Sequence, residues 1–193
     1  MKIRSITLLA EPSLEPERAE RFFTRARTAF THEVQTLRLA TTPYPTWWNR
    51  GQFPALQARE VGELWAGSGA EFVSLGPVLL GHDAGWLEFV PEIIAAGQGL
   101  FVAAEIADSS GVIDVGRCMA VADVIRRLST LAADGSANSH FAALANCRAG
   151  TPFFPTDSLR KATCPTFGSS WRITIVPFRP SRGSWRHRGT TAC

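Results

Sequence analysis

Hydrophobic periodicity in this chain switches repeatedly between the two-residue repeat of a strand and the roughly 3.6-residue repeat of a helix, and that alternation restricts the folds open to it. "KIRSITLL" (Lys2–Leu9) alternates polar and apolar residues and is rich in β-branched types, so it reads as a strand. The period changes in "EPSLEPERAERFFTRARTAF", where Ala19, Phe22, Phe23, Ala26 and Phe30 make one apolar stripe and Glu15, Glu17 and Glu20 sit where a helix dipole favours acids. "EVQTLRLA" (Glu33–Ala40) is a second strand, and "TTPYPTWW" is a loop, because Pro43 and Pro45 cannot belong to a central ladder. "PALQAREVGELWAG" is a helix ending at Gly67 or Gly69, and "EFVSLGPV" a short strand. "GWLEFVPEIIAAGQG" is a helix with Pro91 in its middle or first turn, its buried side made by Trp86, Phe89, Val90, Ile93 and Ile94. "LFVAAEIAD" (Leu100–Asp108) is the nearly continuous apolar strand typical of parallel sheets. "DVGRCMAVADVIRRLSTLA" is a helix with Val115, Cys118, Val121/Ala122, Ile125 and Leu128 on one face, and "SHFAALANC" closes the series as a fifth strand.

The order βαβαβαβαβ calls for an α/β fold with a mainly parallel sheet, since parallel neighbours need long helical crossovers. The sheet is expected to be either open and doubly wound or part of a barrel. In both architectures ligands bind at the carboxyl ends of the strands. The domain expected is 1–156, followed by a basic, irregular tail at 157–193.

Charge divides the chain at the same place. Residues 1–156 carry 13 Lys/Arg against 16 Asp/Glu, while residues 157–193 carry seven basic residues against Asp157 alone. The overall charge of +3 therefore lives in the tail. Apolar residues at 45% suit a globular core, and no apolar run approaches the roughly 18 residues of a membrane span. The N-terminus is a poor signal peptide, so a cytoplasmic protein without a membrane partner is expected. Cys118, Cys147, Cys164 and Cys193 form no CxxC pair and have no zinc-like spacing to histidine, which favours free thiols and no metal site.

The strand-end rule selects five loops: Ala10–Ser13, Thr41–Trp48, Gly76–Val78, Asp108–Ser110 and Asn146–Phe154. Their candidate site residues are Thr42, Pro43, Asp108, Asn146, Arg148 and Thr151. Arg148 would hold an anionic group, against the plainer reading of "RAGTP" as a turn. Asp108 would act as acid–base or metal ligand, against a capping role through "DSS". Asn146 and Thr151 would orient a substrate. Cys147 has Arg148 beside it, but His140 lies at the opposite end of the strand, about 20 Å away at strand rise, which argues against a Cys–His pair. Trp47 and Trp48 are expected to pack beneath a loop. No GxGxxG, P-loop, GxSxG or HExxH pattern occurs, and no cofactor is indicated.

"MKIRSITLL", "EVQTLRLATTPYP", "EFVSLGPV", "PEIIAAGQGLFVAAEIAD" and "FAALANCRAGTPFFP" together resemble the prokaryotic domain-of-unknown-function 711 family, over roughly residues 1–155. The resemblance implies a barrel related in fold to pyruvate formate-lyase, of which this chain would supply the N-terminal half, and a homo-oligomer. It implies no reaction. Formate-lyase chemistry is excluded, because the chain has neither adjacent cysteines nor a glycyl radical segment.

The resemblance ends where the composition changes. Beyond "GTPFFP" the only strand-like piece is "WRITIVPF". Two readings compete for this tail. It is a basic arm that meets nucleic-acid phosphates through Arg172–Arg188 and stacks Trp171 and Trp185 on bases. Alternatively it is out-of-frame sequence following a shift near residues 156–165, which leaves an inactive, truncated fragment with unpaired strand edges. The abrupt end of the resemblance where the composition changes favours the second. The functions left open are a small-molecule enzyme or ligand-binding protein with its site on the strand-end loops, a nucleic-acid-binding module, or such a fragment.

Overall fold

A computed structural model describes residues 2–97, 99–147 and 171–178. Five parallel strands alternate with four helices: β1 (Lys2–Ala10), α1 (Pro16–Thr28), β2 (Val34–Thr41), α2 (Pro54–Gly67), β3 (Phe72–Val78), α3 (Val90–Ala96), β4 (Leu100–Glu105), α4 (Val115–Leu128) and β5 (Phe141–Leu144). Strand β6 (Trp171–Phe178), the "WRITIVPF" segment, pairs antiparallel with β1. The sheet order is β5-β4-β3-β2-β1-β6, so the sheet is open and not closed into a barrel.

Each parallel strand lies beside its predecessor in the chain, and every crossover advances in the same direction. Right-handed crossovers then put all four helices on one face of the sheet. The helices accordingly pack in series, α1 on α2, α2 on α3 and α3 on α4. The main core lies between these layers. Ile6, Leu8, Leu37, Leu39, Val73, Leu75, Leu100 and Val102 meet Phe23, Trp65, Ile93, Val121, Val124 and Leu128, all buried.

The alternate strand residues point to the other face. Ser5, Thr7, Leu9, Ala40, Ser74 and Ala103 are buried there, outside the helix-side core. Toward the amino ends of the strands this face carries a ring series. The Arg38 guanidinium lies 5.6 Å over Phe72, Phe72 meets Phe101 edge-on at 5.5 Å, and His140 stacks on Phe101 at 4.5 Å.

Helix starts follow local chemistry. Pro16, Pro54 and Pro91 occupy first-turn positions, where a missing N–H costs nothing. Pro91 therefore begins α3, and the residues before it, Ala84–Phe89, form a 3-10 turn capped by Asp83, so one expected helix is two elements. The fifth strand is shorter than expected because Ser136–His140 also turn as 3-10 helix. The fourth ends at Glu105, three residues early.

Helix α4 buries Val121 and Leu128 of its expected face, but is rotated so that Arg117 and Val124 are buried with them, while Val115 is 72% and Met119 69% exposed. Ile125 is exposed as well. In α1 the expected stripe holds at Ala19, Phe23 and Ala26, with Phe30 beyond the helix end. Among the described residues no helix is long and apolar enough to cross a membrane.

Candidate functional site

A parallel sheet gathers successive loops at one edge, the carboxyl ends of its strands. Here the loops after β2, β3 and β4 form one connected cluster. The chain leaving β2 passes directly over β3. Gly76 has φ +74°, and a Cβ there would stand 2.7 Å from the Thr42 carbonyl oxygen and 2.8 Å from Pro43. The β3–β4 register slips between Ser74 and Pro77, bending the strand at this contact.

Thr42 and Pro43 act through their backbone here. The Thr42 carbonyl accepts from Trp47 Nε1 at 3.0 Å and Thr41 Oγ1 at 2.9 Å, and the Pro43 carbonyl accepts from Thr46 Oγ1 at 2.7 Å. Tyr44 is fully buried between Trp48 and Trp86, with ring centroids 5.7 and 5.6 Å away. Its hydroxyl donates to the Trp86 carbonyl, and burial pushes its ionisation well above the usual phenol range. The adjacent tryptophans thus pack beneath the loop, as their residue type suggested.

The loop after β3 is held from three sides. Leu79 N–H donates to His82 Nδ1 at 3.1 Å, and Leu80 N–H to Glu105 Oε2 at 3.1 Å. Asp83 accepts from Gly85 N–H and pairs with Arg50 at 2.9 Å, which together hold its carboxyl below the usual range. The Arg50 guanidinium also lies 4.1 Å over the Trp86 ring. From α4, Arg117 reaches into the same loop. Its Nη2 donates to the His82 carbonyl at 2.6 Å and the Leu80 carbonyl at 3.4 Å.

Asp108 turns its carboxylate onto its own loop. Oδ1 accepts from Ser110 Oγ at 2.6 Å, Ser110 N–H at 2.8 Å and Val112 N–H at 2.9 Å. The Ser110 hydroxyl, then the Val112 N–H, hold this carboxyl below the usual range. The capping reading of "DSS" is the one the geometry realises. Asn146, at φ +53°, is exposed just after β5. Because Glu105 pairs with Leu144 and Ile106 N–H donates to the Leu144 carbonyl, Asp108 and Asn146 follow adjacent strand ends. Thr42 and Pro43 lie about 14 Å from the β5 end at normal strand spacing. Arg148 and Thr151 lie outside the described residues.

His140 and Cys147 sit at opposite ends of β5, His140 Nδ1 within 2.8 Å of the Leu100 carbonyl and Cys147 Sγ donating to the Ala145 carbonyl at 3.5 Å. Cys118 and Cys147 are free thiols. Among the described residues no group of three or more His, Cys, Asp or Glu side chains forms a metal-binding cluster. A shallow groove of about 350 Å³ between α1 and α2, lined by Phe23, Arg27 and Gly67–Gly69, lies toward the amino ends of the strands, away from the cluster.

Tyr44, Arg50, Trp86 and Arg117 were not among the sequence candidates. Arg117 had a readable signal: it stands three residues after Asp114, in the first turn of its helix, where the dipole disfavours a cation. The family model described as Uncharacterised ACR (DUF711) matches residues 14–164, most of the chain, and the chain belongs to that family. No curated protein matches it significantly.

Proposed function

We propose that this member of the family is a cytoplasmic small-molecule enzyme or ligand-binding protein, with its site on the loops at the carboxyl edge of the parallel sheet. The observation that carries this reading is the joining of three consecutive strand-end loops through Gly76 against Thr42–Pro43, Glu105 against Leu80, and Arg117 against Leu80 and His82. Thr42–Pro43 and Trp47 form one wall. Asn146 and Thr151 orient the ligand, and Arg148 holds an anionic group on it. Asp108 stays a carboxylate at neutral pH and, with its ionisation lowered, serves the site by fixing the loop after β4 through Ser110 and Val112 and not as an acid. The family match ends at residue 164, inside the basic tail 157–193, and we read that tail as out-of-frame sequence from its composition.

The test is a metabolite screen by thermal stabilisation, repeated on Asn146→Ala, Arg148→Ala and Thr151→Ala. A hit whose stabilisation falls by at least about tenfold in apparent affinity supports the site, because one lost hydrogen bond to a charged group is of that size. Unchanged affinity in all three variants contradicts it.

A further inference from the structure

We propose that Arg117 is the seat of a small anionic ligand, bound through a carboxylate or phosphate group between the start of α4 and the loop after β3. Arg117 is 4% exposed. Its Nη1 is buried without any hydrogen-bond partner, while Nη2 serves two main-chain carbonyls. Among the described residues no carboxylate lies within ion-pair distance of it; the ion pairs there join Arg27 to Glu71, Arg50 to Asp83 and Arg126 to Asp123.

A guanidinium is a permanent cation with five donors in a planar fork. Asp83 acts on it only through space, and its direct partners are carbonyl dipoles, so the buried charge has no contacting counter-ion and one edge of the fork is unsatisfied. The nearby acids are otherwise engaged. Asp83 is held by Gly85 N–H and Arg50, and Glu105 accepts from Leu80 N–H. Helix polarity adds to the imbalance. Arg117 lies in the first turn of a 14-residue helix, so the positive end of the dipole and the guanidinium charge fall together, and Asp114 already serves as the N-cap through the Arg117 N–H. An oxyanion on Nη1 resolves all three features. It supplies a contacting counter-charge, the missing acceptor and a second anion at a helix start. The position is the carboxyl end of β3 and β4, where this architecture binds ligands.

The inference rests on the strand-end reading and assigns Arg117 a direct contact with an anionic group. The test titrates the full chain with inorganic phosphate and, separately, acetate, at ionic strength fixed with chloride, following the melting midpoint and the Arg117 side-chain NMR signals. Arg117→Met removes the charge while keeping the length of the stem. Saturable stabilisation by either probe, with a shift of the Arg117 signals and at least about tenfold weaker binding in R117M, is the expected result. The probe that binds tells phosphate from carboxylate chemistry. If R117M does not fold, the wild-type Arg117 signals decide alone. Binding that leaves those signals unmoved, or is equal in R117M, overturns the seat but leaves a strand-end site elsewhere. No response to either probe beyond chloride also overturns it, and the strand-end reading is then tested by the Asn146, Arg148 and Thr151 variants alone.

Discussion

Gly76 lies directly beneath the Thr42 carbonyl, with room for a hydrogen but not for a methyl group. Both the positive φ and the contact forbid a side chain. The atoms in the way belong to backbone, so they cannot swing aside. Gly76→Ala is expected to destabilise the domain by about 3 kcal/mol, the sum of a left-handed backbone penalty and local overpacking. Urea denaturation measures it. A loss below about 1 kcal/mol would show that the Thr42–Pro43 segment is free to move off β3.

Tyr44 is the sole tyrosine in the chain, so its titration can be followed without ambiguity. In the folded state burial keeps it protonated far above the ordinary range. The unfolded chain ionises near pH 10. With the folded value raised, the stabilising difference is intact below about pH 10 and is lost progressively as pH rises above it. Ultraviolet absorbance should show no phenolate at pH 10.5 in the native protein and a large signal once it unfolds. Normal titration in the folded state would contradict the packing of Tyr44 between Trp48 and Trp86. Tyr44→Phe leaves the Trp86 carbonyl without its donor and should cost about 1–3 kcal/mol.

Acid should act through the loop carboxylates. Asp83, Asp108 and Asp134 are all held below their usual range by hydrogen bonds, chiefly from Gly85 N–H, the Ser110 hydroxyl and Ser136 N–H respectively. Their contribution is present above about pH 4 and lost as pH falls through the depressed folded values. Stability measured between pH 5 and about pH 2 should therefore decline. Asp83→Asn and Asp108→Asn should each flatten the decline. An identical slope in both variants would place the acid sensitivity elsewhere.

Helix α4 offers a direct comparison of two faces. Leu128→Ala removes a fully buried side chain and should cost about 2–4 kcal/mol. Val115→Ser and Met119→Ser, on the exposed side, should stay within about 0.5 kcal/mol. Equal costs on both faces would show that Val115 and Met119 are covered in solution.

That helix also shows where sequence reading stops. Alternating period predicted the strands, their parallel sense and the carboxyl-edge location of the loops, because each follows from which side chains must be buried. In α4 two apolar stripes compete. The expected face joins Val115, Cys118, Val121/Ala122, Ile125 and Leu128, while the buried one joins Val121, Val124 and Leu128 with Arg117. Periodicity alone cannot choose between them. The buried stripe packs Val121, Val124 and Leu128 into the core and carries Arg117 to the Leu80 and His82 carbonyls. Likewise, Asp108 was legible as a candidate, but its role depended on where Ser110 and Val112 fold relative to it. The pattern left the sheet either open and doubly wound or part of a barrel, and the half-barrel was implied by the family resemblance. The open sheet, with β5 at one edge and β6 at the other, depends on pairings at a distance that local pattern does not encode.

The most direct test of the account is to locate an oxyanion in crystals grown at low salt and soaked in selenate, using its anomalous signal. The account predicts density within hydrogen-bond distance of Arg117 Nη1, between the loop after β3 and the start of α4, absent from Arg117→Met crystals soaked alike. Selenate found only in the groove between α1 and α2, or on surface arginines, would contradict it.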